Sequence, residues 1–264
     1  MSAGVAMPLE RRGAWQLGGA VWTLIRTDFK VRYHGTAGGF LWALLKPLTM
    51  FGVLMSVFSF IFASDPDYKL NLIVGLFLWD FFAEGTKLGL MSLHAKGYLL
   101  SKTRFPRWIV VATAISNPLI TLAVFSAVIV VFLIASGRPP SLLALALLLV
   151  YEIEFALIVV GFSLAASVLF LRYRDLNQVW EVVTQAGFLV APIIFPLAIL
   201  PERFHKYLYV WPPTPVIQYA RAVLVDGAVP SAQAHLMLAG VTAAVLGTGI
   251  VVFRWLAPSA VERL

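Results

Sequence analysis

The sequence is short of charge. Only 12% of its 264 residues are Asp, Glu, Lys or Arg, and 60% are hydrophobic. A soluble domain carries about 25% charged residues, so a water-soluble globule is excluded: too few polar side chains exist to cover its surface. Cysteine is absent altogether, which removes disulfide frameworks and thiolate metal sites. Acidic residues number 13 against 20 basic ones, a net charge of +7. In so apolar a chain that excess points to orientation signals and anionic lipid headgroups, not to nucleic acid. The four histidines (His34, His94, His205, His235) form no H-x-x-x-H pair, so no metal site is expected. No G-x-x-x-x-G-K-[ST] occurs, so ATP hydrolysis by this chain is not expected. No apolar core follows Arg11–Arg12 before Gly38, so no signal peptide is expected. Gly161-Phe162-Ser163-Leu164-Ala165 partly resembles a serine elbow, but no histidine lies at matching depth, and small-residue helix packing is the better reading.

What the chain has is long apolar runs. Stretches of ~17–25 such residues read as membrane helices. About six lie near 38–63, 70–92, 108–136, 141–171, 176–200 and 231–255, predicting an all-α integral membrane protein. An N-terminal segment, 1–37, precedes a six-span domain, 38–264. Fourteen Lys and Arg fall in segments assigned to one side and five to the other, so the positive-inside rule puts both termini in the cytoplasm. Residues 15–34 place Trp15, Trp22, Ile25, Phe29 and Tyr33 at helical spacing, with Arg26, Lys30 and Arg32 largely off the stripe. That pattern predicts an amphipathic helix in the cytoplasmic interface. Loop 94–107 has an apolar Tyr98-Leu99-Leu100 centre and room for a short docking helix. Stretch 196–230 carries six prolines and two apolar pieces too short to span, which suits external re-entrant helices.

Five carboxylates, Asp80, Glu84, Glu152, Glu154 and Glu181, fall inside spans. Each costs about 2.5–3.5 kcal/mol near mid-membrane, so they are expected to face protein or water. Asn177, Glu181, Thr184, Gln185 and Phe188 share one face of the fifth span. They read either as a pore wall or as interhelical hydrogen bonds. Lys46 and Glu181 sit at matching depths of ~12 and ~9 Å, which predicts that they pair. Asp80, Glu84 and Lys87 share a face, where Glu84 and Lys87 can pair locally. Glu152 and Glu154 point about 200° apart and suggest no role. Gly35/Gly39 and Gly85/Gly89 are spaced for close helix approach.

Four segments in order carry a resemblance: DFKVRYHGTAGGFLWALLKPL (28–48), FLWDFFAEG with YLLSKTRFPR (77–85 and 98–107), LRYRDLNQVWEVV running to FLVAPIIFP (171–196), and WPPTPVIQYARAVL (211–224). Together they are similar to the permease subunit of bacterial ABC exporters of polysaccharides and polyol phosphates, the O-antigen, galactan and teichoic-acid type. The resemblance implies a homodimeric channel in the bacterial inner membrane. It implies two copies of a separate ATPase subunit, which alone would use ATP and Mg, and a polyprenyl-diphosphate-linked polysaccharide as substrate. Tyr98, Leu99, Leu100, Lys102, Arg104, Phe105 and Arg107 are then the ATPase-docking candidates. Arg26, Lys30, Arg32 and Tyr33 are candidates for the lipid headgroup, and Trp42, Lys46, Asn177, Trp180, Glu181, Thr184, Gln185 and Phe188 for the channel lining. Tyr207, Tyr209, Trp211 and Tyr219 are candidates for an external gate, or for the interfacial aromatic belt. The alternatives are an ion-coupled secondary transporter using the intramembrane carboxylates, disfavoured by the lack of an inverted repeat, and an intramembrane enzyme.

Overall fold

The computed structural model describes residues 14–33, 35, 38–102 and 106–260. Among them there are helices and turns but no strand. In chain order the helices are α1 (Ala14–Tyr33), α2 (Leu41–Phe58), α3 (Tyr68–Ala95), α4 (Gly97–Lys102), α5 (Arg107–Ala114), α6 (Ser116–Ala135), α7 (Leu142–Arg172), α8 (Leu176–Val190), α9 (Glu202–Leu208), α10 (Pro213–Leu224) and α11 (Ala232–Ala260).

Proline and glycine set most of the boundaries. Pro192 disfavours helix at the residue before it, so Ala191 turns extended (φ −65, ψ 135) and α8 stops. The expected span 176–200 is therefore a helix of 15 residues, ~22 Å long, followed by irregular chain and a 3-10 turn at Leu197–Ile199. The expected span 108–136 is two helices with a break at Ile115. Pro118 has no N–H to offer the carbonyl four residues back, so the ladder is interrupted there. Ser141 caps α7, its hydroxyl accepting from the Ala144 N–H at 3.1 Å. Gly35 and Gly39 have φ +83 and +46. They are turn residues between α1 and α2, not the helix-packing pair their spacing suggested.

Four helical segments are long and apolar enough to cross a membrane: Leu41–Phe58, Arg107–Ala135, Leu142–Arg172 and Ala232–Pro258. Helix α3 is long enough, with 28 residues, but too charged. Every 18-residue window along it holds three of Lys69, Asp80, Glu84 and Lys87. Burial compensates, because α3 is the hub against which α2, α5, α6, α7, α8 and α10 all pack. Its core face carries Phe77, stacked on Phe125 at 4.2 Å, and Phe82, stacked on Phe155 at 5.7 Å.

Small residues allow the closest crossings. A Cβ on Gly89 would fall 1.8 Å from Ser163 Oγ, and one on Gly249 would fall 2.0 Å from the Gly161 carbonyl oxygen. The Gly161–Ala165 stretch is thus helix packing, against α3 on one side and α11 on the other.

The stretch from Trp211 to the end of α10 reaches far along α3. The Trp211 ring, just before α10, lies 5.7 Å from that of Phe82, while Arg221 near the end of α10 bonds the Asn71 carbonyl. Along α3 those positions are ~21 and ~4.5 Å from Tyr68.

Candidate functional site

Helices α2, α3 and α8 bound a groove of about 720 Å³. Its floor is Leu76, Trp79, Asp80 and Ala83 of α3. One wall is Lys46, Pro47, Thr49, Met50 and Val53 of α2, and the other is Thr184, Gln185, Phe188 and Leu189 of α8. A smaller cavity, about 230 Å³, is lined by Arg32, Tyr33, Gly39, Trp42, Ala43, Lys46, Asp80 and Glu84. Lys46 and Asp80 line both, so a charged vestibule beside α1 leads into a mostly apolar groove.

The charges of the vestibule are paired between helices. Glu84 on α3 takes Arg32 on α1, and one turn on, Lys87 takes Glu181 on α8. Lys46 on α2 and Arg32 are the cations acting on the Asp80 carboxylate. The expected local Glu84–Lys87 pair therefore does not form. The expected Lys46–Glu181 pair does not form either: Lys87 takes Glu181, and Lys46 lines both cavities with Asp80. At the far end of α3, Lys96 bonds Asp28 of α1. Matching depth along two spans said nothing of a third helix lying between them, and α3 lies there.

The sequence candidates divide among several surroundings. Lys46, Thr184, Gln185 and Phe188 line the groove, and Trp42 lines the vestibule. Glu181 and Asn177 lie nearer the start of the same helix. Trp180 does not face the groove: it stacks on Phe162 at 4.1 Å and its Nε1–H donates to Thr86 Oγ1 at 2.9 Å. Arg32 and Tyr33 line the vestibule; Arg26 and Lys30 lie on α1 and do not line it.

Among the docking candidates, α4 is the short helix expected in this loop, and Tyr98 on it is exposed. Leu100 is buried with Leu93, Val110 and Val111, so it holds α4 to the core and is not free to dock. Arg107 donates to the Ala257 carbonyl of α11. Arg104 and Phe105, with the side chains of Leu99 and Lys102, lie outside the described residues.

The four gate candidates also separate. Trp211 joins the rings of Trp79, Phe82 and Trp180. Gly187 makes room for it, since a Cβ there would meet its ring at 2.8 Å. Trp211 Nε1 and Thr214 Oγ1 are buried with no hydrogen-bond partner among the described residues. Tyr219 packs beside Tyr151, Tyr209 and His235, and the Tyr151 hydroxyl lies 2.9 Å from His235 Nε2. Tyr207 is exposed. Of the two glutamates without an expected role, Glu152 accepts from Ser126 Oγ, tying α7 to α6. Glu154 lies in electrostatic reach of His235.

Near the Tyr68 end of α3, Arg138 bonds Asp67 at 2.6 Å. Burial, together with Asp67 and Asp65, raises the carboxyl of the loop residue Asp226 against the opposing pull of Arg221 and Arg138. Among the described residues no cluster of His, Cys, Asp and Glu is arranged to hold a metal.

Two residues that the sequence reading passed over matter here. Trp79 is central to the groove floor, and its adjacency to Asp80 on a charged helix face was the available signal. Arg221 is the lone charge in the otherwise apolar or neutral α10.

An O-antigen export system permease protein, RfbA, of Klebsiella pneumoniae is 29% identical to this chain over 201 residues, covering 76% of this chain and 78% of that protein. A second Klebsiella pneumoniae RfbA is 30% identical over 181 residues, covering 67% and 69%. The polysialic acid transport protein KpsM of Escherichia coli is 21% identical over 235 residues, covering 88% and 91%. The family model for the ABC-2 type transporter matches residues 19–225, most of the chain, and the chain belongs to that family.

Proposed function

We propose that this chain is the permease subunit of an ATP-driven exporter that moves a polyprenyl-diphosphate-linked polysaccharide outward across the bacterial inner membrane. The observation that carries the reading is the vestibule opening into the groove. Arg32 and Lys46 stand at its mouth, where a diphosphate would compete for them with Glu84 and Asp80, and the groove beyond offers Phe188 as a face for sugar rings above the buried Trp79. The relatives whose names specify O-antigen export and polysialic acid transport support the polymer class.

The groove is open on the side away from α3. No residue of α8 is buried, and only Pro47 and Leu54 of α2 are. A lipid-facing groove containing Lys46 and Asp80 would be costly, so a second copy facing these two helices is the economical cover and makes a homodimeric channel. In this reading α3 and α8 complete a six-span topology with both termini cytoplasmic. The α9–α10 pair is then a re-entrant hairpin from outside, which the contacts of Trp211 and Arg221 at two depths of α3 support. Helix α1 lies in the cytoplasmic interface, and α4 with the chain to Arg107 meets the ATPase.

The purified chain should show no ATP turnover alone and support turnover only with its ATPase subunit. Leu99→Asp with Phe105→Asp should abolish the complex or uncouple turnover from export. ATP hydrolysis by the rigorously pure chain would overturn the reading. Normal export by the double variant would move the docking site elsewhere.

A further inference from the structure

Arg221 is the only charged residue buried among the described residues, at 5% exposure, and no carboxylate lies within salt-bridge distance of it. Its guanidinium is spent on backbone instead. Nε donates to the Asn71 carbonyl of α3 at 2.8 Å, Nη2 to the Ile193 carbonyl at 3.0 Å and Nη1 to the Pro192 carbonyl. The Tyr68 hydroxyl donates to the next carbonyl, Ile194, at 2.9 Å. Three successive carbonyls beyond the end of α8 are thus held by side chains of α10 and α3. They need holding, because Pro192 and Ile193 are buried and an unpaired buried carbonyl costs about 1–3 kcal/mol. A cation suits this place, beside the negative end of a helix. Gly75 keeps it open: a Cβ there would lie 2.5 Å from Arg221 Nη2.

We infer that Arg221 is a positioning residue that clamps the broken end of α8 to α3 and α10, and that this clamp holds the external end of the groove shut until transport opens it. The inference rests on the export reading for the words external and transport; the clamp itself does not. No residue of α8 is fully buried; Trp180 and Phe188 hold its length against the core, and the bonds at residues 192–194 fix its end. Leu189, exposed and lining the groove one turn earlier, is the side chain whose accessibility reports the clamp.

The absence of native cysteine makes the test direct. Leu189→Cys is placed in the full chain, co-expressed with its ATPase subunit in intact cells, and labelled from outside with a membrane-impermeant maleimide. Leu189 is exposed in the single chain; with Arg221 in place, labelling is slow where the second copy covers the groove and the clamp closes its outer end. Arg221→Met should speed it about tenfold or more, the scale set by losing charge-assisted hydrogen bonds. Arg221→Lys should restore part of the protection, and Gly75→Ala, which displaces the guanidinium without removing it, should speed labelling too. Ala144→Cys, buried at the start of α7, should keep its rate throughout, whereas general loosening would raise both. If Arg221→Met fails to accumulate, Gly75→Ala decides. Unchanged Leu189→Cys labelling in Gly75→Ala and Arg221→Lys chains that accumulate normally overturns the clamp. Labelling needs no substrate, so loss of the export reading and loss of the clamp are separable results.

Discussion

The Arg32–Glu84 bond joins α1 to the hub helix and forms one side of the vestibule, so breaking it tests how the site is held together. The two side chains are 31% and 25% exposed, between a surface pair and a buried one. Exposed pairs couple by about 0.2–1 kcal/mol, and removing one partner of a buried pair costs about 3–5 kcal/mol. Glu84→Gln or Arg32→Gln alone should therefore cost about 2 kcal/mol. The first leaves two cations, Arg32 and Lys46, facing Asp80; the second leaves two carboxylates facing Lys46. The double variant restores the balance of one cation and one anion, so it should cost less than the sum, with a coupling of about 1–1.5 kcal/mol. Thermal unfolding of the purified complex in detergent reads this, at about 2–4 °C per kcal/mol for a chain of this size. Each single variant should lower the midpoint by about 4–8 °C. If the two single effects add within about 0.3 kcal/mol, the bond is a surface contact and α1 is held by something else.

Two further outcomes follow from the packing and the loop charges. Gly249→Ala should destabilise by about 3 kcal/mol, because its Cβ would stand against the Gly161 backbone and the two helices must part. Gly247→Ala, with nothing within 4 Å, should gain about 1 kcal/mol of helix propensity; thermal midpoints moving in the same direction would contradict the crossing. Asp226 has a raised carboxyl in the folded chain, so the folded state binds its proton more tightly than the unfolded one. That contribution is fully present below the ordinary value of 3.8 and is lost as pH rises through the raised value. Asp226→Asn should raise the midpoint at neutral pH and flatten its dependence across that acidic window. An unchanged pH profile would remove Asp226 as its source.

Membrane class was legible because apolar run length is a local property. Pro192 and Pro118 act just as locally, yet the expected spans 176–200 and 108–136 ran across both, since an apolar run continues past a proline that breaks the helix. The vestibule residues Arg32 and Lys46 and the groove residues Thr184 and Gln185 were legible for a related reason: an apolar chain keeps polar residues where something needs them, and Phe188 shares their helix face. Partnership was not legible. Lys46, Glu84, Lys87 and Glu181 all had more than one opposite charge at plausible depth, and choosing among them required knowing that α3 lies between α2 and α8. Leu100 and Trp180 failed likewise: apolar and aromatic residues serve a docking face, a channel wall or a core equally well, and only the neighbouring helices distinguish them.

Arg221 shows the limit from the other side. Its signal was present, a lone charge in a helix otherwise apolar or neutral, and the cost of a buried charge demanded partners. A search of the sequence for a matching carboxylate would settle on Asp226, five residues on. The structure instead satisfies the guanidinium with the Asn71 carbonyl of α3 and with two carbonyls left free where Pro192 ends α8 some thirty residues earlier. A side chain can thus be called for by a backbone break elsewhere. In a chain with few charges and many prolines, the place to look for the partner of a buried cation is the nearest interrupted helix.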